Sequence, residues 1–338
     1  NFRIIRSDFT GINEQSYFFL KNKENTFCFW FGRRYLQTGP GQISGLFISV
    51  QSPALDNIGY KYKISNNLEI ESNIVRLDNR RFNEMLDGFY DSSYDVYYNR
   101  WYYYHQFNYV INEFIKVGFK EAVVSTGQDR SVEWYYLLPL GLFHAEQLHA
   151  ESRSDGLEYT MDSPGMGNND NSMLGLDLVV KLTDYSFYLE VLIDDFQIDN
   201  KDRKKMQDVF GFVVGFDLRT TSLSLIGEYA YASPWLYLNR CKYCSPEINN
   251  NSLGLRMPNY QSLGIKLSYY LSGYKLGLLA NMLQKGTQDL DTEWNAWGNK
   301  IEYFEFESFV YEIRAFASSK YKNTNYELGF SHNWMEDN

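Results

Sequence analysis

Apolar residues recur at every second position through segment after segment, and this period of two constrains the fold more than any other feature. In 174–182, Leu174, Leu176, Leu178, Val180 and Leu182 oppose Gly175, Asp177 and Lys181. In 211–219, Phe212, Val214, Phe216 and Leu218 oppose Gly215, Asp217 and Arg219. The pattern returns at 68–74, 223–231, 263–271 and 326–334. Side chains on a strand point alternately to its two faces, so the chain reads as all-β with one apolar face throughout. The other face carries Gly, Ser, Lys, Asp and Glu, not a second set of core residues.

A soluble sandwich also alternates, so strand length and connections decide the class. The strands are about ten residues long, the length that crosses an outer membrane in a tilted barrel. Short connections fall at Ser65-Asn66-Asn67, Asn112-Glu113, Thr183-Asp184-Tyr185, Arg219-Thr220-Thr221, Ser272-Gly273 and 319–323. Between them lie long ones at 80–100, 128–171, 196–210, 232–261 and 284–305. Tight turns on one rim and long loops on the other describe a transmembrane antiparallel outer-membrane β-barrel, with periplasmic turns and extracellular loops.

This scheme makes twelve strands between 58 and 334, and residues 1–57 add three or four, including 26–36. The expectation is a single barrel domain over 1–338 with about 16 strands, within a range of about 14–18. Strand 324–334 is expected to run outward, which puts the closing strand beyond the C-terminus. The localisation expected is the bacterial outer membrane, with loops exposed to the cell exterior and the wall against outer-membrane lipid.

Composition agrees. Aromatics make up 18% of 338 residues, 29 of them Tyr, while the mean hydropathy is only −0.44. A net charge of −10 excludes nucleic acid, which needs a basic surface. No apolar run approaches the ~18 residues of a membrane helix. Cys241 and Cys244 form one CxxC, half a zinc site at most; a local disulfide or two plain thiols is the simpler reading.

Four segments, in order, resemble the capsule assembly Wzi family of outer-membrane β-barrels. They are "FGRRYLQTGPGQISGLFIS" (31–49) with "SPALDNIGYKY" (52–62), then "VGFKEAVVSTGQDRSVEWYYLLPLGLFHAEQL" (117–148), "LGLDLVVKLTDYSFYLEVLIDDFQID" (174–199) and "GEYAYASPWLY" (227–237). The resemblance spans about 31–270. It implies a barrel that binds or organises surface or capsular polysaccharide without catalysing a reaction. The alternatives left open are a porin-like channel and an accessory barrel of a larger assembly with other outer-membrane proteins.

Asp194 and Asp195 tempt a catalytic reading, but neighbours on a regular strand point apart. Phe187, Leu189, Val191 and Ile193 then face lipid, while Glu190 and Asp194 face the lumen. Asp194, Gln197 and Asp199 become candidates for glycan contact above the strand, set against a plain solvated rim. With Asp202 they offer oxygens to Ca²⁺, but that ion takes six or more, so no cofactor is expected. Asp129, Arg130, Glu133 and Trp134 follow Gly127 and combine an aromatic platform with planar hydrogen-bonding groups, the chemistry of carbohydrate recognition. His144 and His149 are five apart, the wrong spacing for a helical zinc pair. Glu146 and Gln147 beside them are read as holding their loop together. Trp101, Tyr103, Phe107 and Tyr109 share a face and read as an aromatic girdle. With only His105 and His332 besides, and no GxSxG, no catalytic constellation is expected.

Overall fold

The computed structural model describes residues 2–6, 15–81, 97–128, 130–138, 143, 170–195, 208–238, 242–290, 292, 306–321 and 324–337. The first strands are β1 (Phe2–Arg6), β2 (Ser16–Lys21), β3 (Phe27–Arg34), β4 (Leu55–Lys63), β5 (Leu68–Arg76) and the short β6 (Arg80–Arg81). Then come β7 (Tyr97–Val110), β8 (Ile115–Gln128), β9 (Asp170–Lys181), β10 (Tyr185–Asp195), β11 (Val209–Arg219) and β12 (Leu223–Ala232). The last are β13 (Glu247–Ile248), β14 (Asn251–Ser252), β15 (Tyr260–Leu271), β16 (Tyr274–Gly286), β17 (Phe306–Tyr321) and β18 (Thr324–Asp337).

All pairings are antiparallel, and each long strand pairs with the next along the chain in one sixteen-stranded sheet. The rim strand β6 hangs off β7, and β13 with β14 form a separate hairpin. Leaving out those three, twelve strands run from Leu55 to Asp337 and three precede them, as the alternation predicts. Five of the six predicted short turns stand, and the sixth, at 319–323, falls on strand residues up to Tyr321 and on 322–323, which lie outside the described residues. At the β15–β16 turn, Ser272 and Gly273 both adopt positive φ, 42° and 91°. That is the two-residue hairpin whose twist matches its flanking strands.

Alternation also sorts the faces correctly. Phe187 on β10, Leu176 on β9, Val214 on β11 and Leu278 on β16 are exposed on one side. On the other side Glu190, Lys120, Glu228 and Asp177 are buried. The sheet is rolled with these polar groups inside. One loop, 35–54, touches the same face of strands from β8 to β15: Lys120 on β8 through Phe47, Glu190 on β10, Glu228 on β12 and Gly264 on β15.

Two features depart from the sequence reading. The inward face is not uniformly polar: Tyr102, Tyr104, Val124, Leu192, Val213 and Ala230 are fully buried on it and join an apolar core. Near its end β10 is also irregular. A register shift between Ile193 and Asp195 sets Asp195 opposite Val209, so strict alternation stops at Ile193, and the Asp195 side chain lies outside the described residues.

Candidate functional site

The apolar core is where the lumen is filled. Loop 35–54, between β3 and β4, enters from the long-loop rim and buries Leu36, Leu46, Phe47 and Ile48. Its descent ends on carboxylates carried by the wall. Glu228 on β12 accepts the backbone N–H groups of Gln42 (2.8 Å), Ile43 (3.3 Å) and Ser44, and the Tyr188 hydroxyl at 2.6 Å. Successive N–H groups converging on one carboxylate form a small anion nest, here turned inward to anchor a loop. Glu190 accepts the Leu46 N–H at 3.2 Å and pairs with Lys120, which also reaches Asp177 at 2.6 Å. Lys120 lies over the Phe47 ring at 5.3 Å, completing a buried charged cluster under the loop.

Small residues make this approach possible. A side chain at Gly175 would run into the Phe47 ring, and one at Gly211 would stand 2.8 Å from Leu236. Gly39 has φ +80°, and an added Cβ there collides with the Glu190 carboxylate and sits 2.6 Å from the Lys120 Nζ. Gly39→Val is expected to destabilise the folded protein by about 2 kcal/mol, read as a lower urea midpoint at unchanged slope.

A second loop, 233–259 between β12 and β15, packs over the first. Ser49 N–H donates to the Leu253 carbonyl at 2.7 Å. The Tyr237 hydroxyl donates to the Leu46 carbonyl at 2.6 Å and accepts the Leu255 N–H at 3.0 Å. Burial pushes the Tyr237 phenol well above its usual pKa, so it stays a donor at any working pH. Arg256 bridges Gln51 and Glu312, each at 2.8 Å, tying the loops to β17. Among the described residues the long-loop half of the lumen is packed, while the short-turn half carries Lys61, Glu69, Glu71, Lys116, Lys181 and Lys266.

The residues expected at a glycan site are placed as follows. Asp194 faces the lumen as predicted and accepts the Tyr237 N–H at 2.8 Å, which makes it an anchor of the second loop. Arg130 forms two hydrogen bonds with Asp170 and pairs with Glu133 at 2.9 Å. Trp134 is 61% exposed but stands on the outside of the wall, away from the lumen loops. Asp129, Gln197 and Asp199 lie outside the described residues, as do His144, His149, Glu146, Gln147, Asp202 and Cys241. Of the predicted girdle, Tyr109 is exposed, but Tyr103 is wholly buried beneath residues 130–138 and Phe143.

Sequence reasoning missed both lumen loops as a plug. Their signal was the cluster of Gly39, Gly41 and Gly45 around apolar residues too irregular for a strand.

Among solved structures, the chain is similar to Wzi, an outer-membrane protein involved in group 1 capsule assembly in Escherichia coli and a carbohydrate-binding β-barrel. The TM-score is 0.58 at 11% identity, covering 95% of this chain and 66% of that one. The chain folds as an outer-membrane β-barrel. It spans just under two thirds of the length of that neighbour. OccD3 from Pseudomonas aeruginosa is similar at TM-score 0.48 and 10% identity, over 96% of this chain and 72% of that one. The FrpB iron transporter from Neisseria meningitidis also gives 0.48 and 10%, over 95% and 53%. No family model matches the chain, and no curated protein matches it.

Proposed function

We propose that this protein is a non-enzymatic, occluded outer-membrane barrel that binds or organises a surface polysaccharide at its long-loop rim, facing the cell exterior. The observation that carries this reading is the packed long-loop half of the lumen. A barrel whose wall spends Glu190, Glu228 and Asp194 on holding two loops inside leaves its loop surface, not its bore, as the working part. Support for the ligand class comes from the likeness to the carbohydrate-binding Wzi barrel and from the ordered sequence segments that resemble the Wzi family. Asp129, Gln197 and Asp199 remain the glycan candidates at that rim, while Arg130 and Glu133 are spent on Asp170 and on each other. Asp194 acts beneath it by positioning the second loop.

The test uses purified protein in detergent and in planar bilayers. The expected result is saturable binding of capsular or other surface polysaccharide, with no steady current through the wild-type barrel. Absence of binding across a broad glycan array, together with a stable conductance, overturns it.

A porin-like channel is the second reading. It is favoured by the charged short-turn half of the lumen, where Lys61 pairs with Glu69 and Glu71 at 3.1 and 3.3 Å. In that case the loops gate a wet vestibule, and the same bilayer experiment reports openings in the wild-type protein.

A further inference from the structure

After β8, residues 130–138 turn back down the outside of the wall. Residues 130–138 and Phe143 lie against the outward faces of β4, β5, β7, β8 and β9. Tyr60 and Ser72 both donate to the Leu137 carbonyl, at 3.1 and 2.9 Å. The Glu133 N–H donates to the Tyr103 hydroxyl at 3.0 Å, and the Tyr136 hydroxyl donates to Asp170 at 3.1 Å. The Phe143 N–H donates to Glu121 at 3.0 Å. Tyr136 packs on Tyr103 with ring centres 4.6 Å apart, and Phe143 packs on His105 at 4.3 Å.

What this strap covers does not belong on a lipid-facing wall. Ser72, His105 and Glu121 are register partners on the outward face, and all three are buried. His105 Nδ1 lies 3.1 Å from Glu121 Oε1. His105 stands four residues above Tyr109, the exposed aromatic at the short-turn end. At ~3.3 Å per residue and a ~40° tilt that is about 10 Å of height, inside an apolar band of ~25 Å. A carboxylate facing acyl chains at that depth is costly, and the strap removes the exposure by burying the pair under Leu137 and Phe143.

The strap's own outer side is apolar and aromatic: Trp134, Tyr135 and Leu138 are each more than half exposed. On the same outward wall, between β7 and β10, runs an apolar groove lined by Phe107, Phe119, Leu176, Leu189 and Val191. We propose that residues 130–138 form an outer-wall strap seated in the outer leaflet. Trp134, Tyr135 and Leu138 contact lipid acyl chains at the membrane interface and extend the lipid-binding surface of the groove. Trp and Tyr favour that depth because one end of each ring system is apolar and the other is wet. The occupant is lipid because the strap rides on the outside of a transmembrane wall and displaces lipid from the polar patch beneath it. This inference does not rest on the polysaccharide reading, and it removes Trp134 from the glycan site.

The test reconstitutes the wild-type protein in vesicles of phosphatidylethanolamine doped with a phospholipid carrying a photoactivatable diazirine on its acyl chain. Residues modified on irradiation are located by tandem mass spectrometry, and water exposure is read in parallel by hydroxyl-radical oxidation. The expected result is lipid adducts on Trp134, Tyr135 or Leu138 at a level comparable to Phe187 and Leu189 on β10, with little oxidation of Trp134. In Trp134→Lys, strap adducts fall several-fold while those on β10 are unchanged. Oxidation of Trp134 without lipid adducts on 134–138 places the strap in water and overturns the proposal, whatever the glycan experiment reports.

Discussion

Replacing Glu228 with alanine is expected to give a barrel that still folds and inserts but conducts ions. The carboxylate is buried on the inward face of β12 and accepts three backbone N–H groups of loop 35–54 and one phenol. Removing it leaves four donors without an acceptor, and each buried donor so stranded costs ~1–3 kcal/mol. A total of several kcal/mol is more than a local loop withstands, whereas the wall keeps every ladder hydrogen bond. The loop therefore detaches before the barrel unfolds, as low-stability segments do. Planar-bilayer recordings check this. Glu228→Ala gives intermittent current steps where the parent protein is silent, because the second loop still narrows the path. Glu228→Gln keeps one acceptor oxygen and falls between the two. Both variants keep heat-modifiable mobility on a gel, the sign of a folded barrel. An alanine variant as silent as the parent sinks the idea that this carboxylate latches the plug.

The wall was legible in the sequence because its chemistry is periodic. The 211–219 alternation becomes Val209–Arg219, and 223–231 becomes Leu223–Ala232. Short and long connections fall where Gly, Asn, Ser and Thr fall. What alternation does not carry is the content of the space it encloses. It reports that one face is apolar, not whether the other meets water or a loop. The sequence did hold one hint at "RWYYYHQF" (100–107), which is apolar or aromatic at successive positions instead of alternate ones. Tyr102, Tyr103, Tyr104 and His105 are all fully buried. The even positions are covered inside by the lumen loops and the odd ones outside by the strap. A strand covered on both faces loses its period, as strands of buried parallel sheets do. Read as a girdle, that stretch concealed both coverings. The glycan candidates were chosen by residue type near a rim, and type alone did not separate Asp194, which anchors a loop, from residues free to meet a ligand.

Replacing Arg100 is expected to release the second loop with a loss of stability of similar size. Its guanidinium is buried on the inward face of β7 and donates to the carbonyls of Tyr243 (2.7 Å), Ser245 and Glu247 (3.3 Å), and to Asp78 at 2.9 Å. Arg80 adds a 2.8 Å bond to Glu247, and Tyr98 stacks on Tyr243 with ring centres 5.3 Å apart. Arg100→Met takes the donor from the Tyr243 and Glu247 carbonyls and leaves Asp78 to Arg80 alone at 3.1 Å, and breaking one side of a buried charged pair costs ~3–5 kcal/mol. Arg100→Lys is expected to recover little, since an ammonium cannot reproduce the fork that spans carbonyls from Tyr243 to Glu247. The measurement is the urea midpoint in detergent, lower in Arg100→Met than in the parent. The two loops interlock through Ser49–Leu253 and Tyr237–Leu46, so freeing one loosens the other. Glu228→Ala and Arg100→Met are therefore expected to couple instead of adding. The double variant should show sustained conductance where Glu228→Ala alone flickers. Conductance equal to the sum of the single variants means that the loops close the lumen independently.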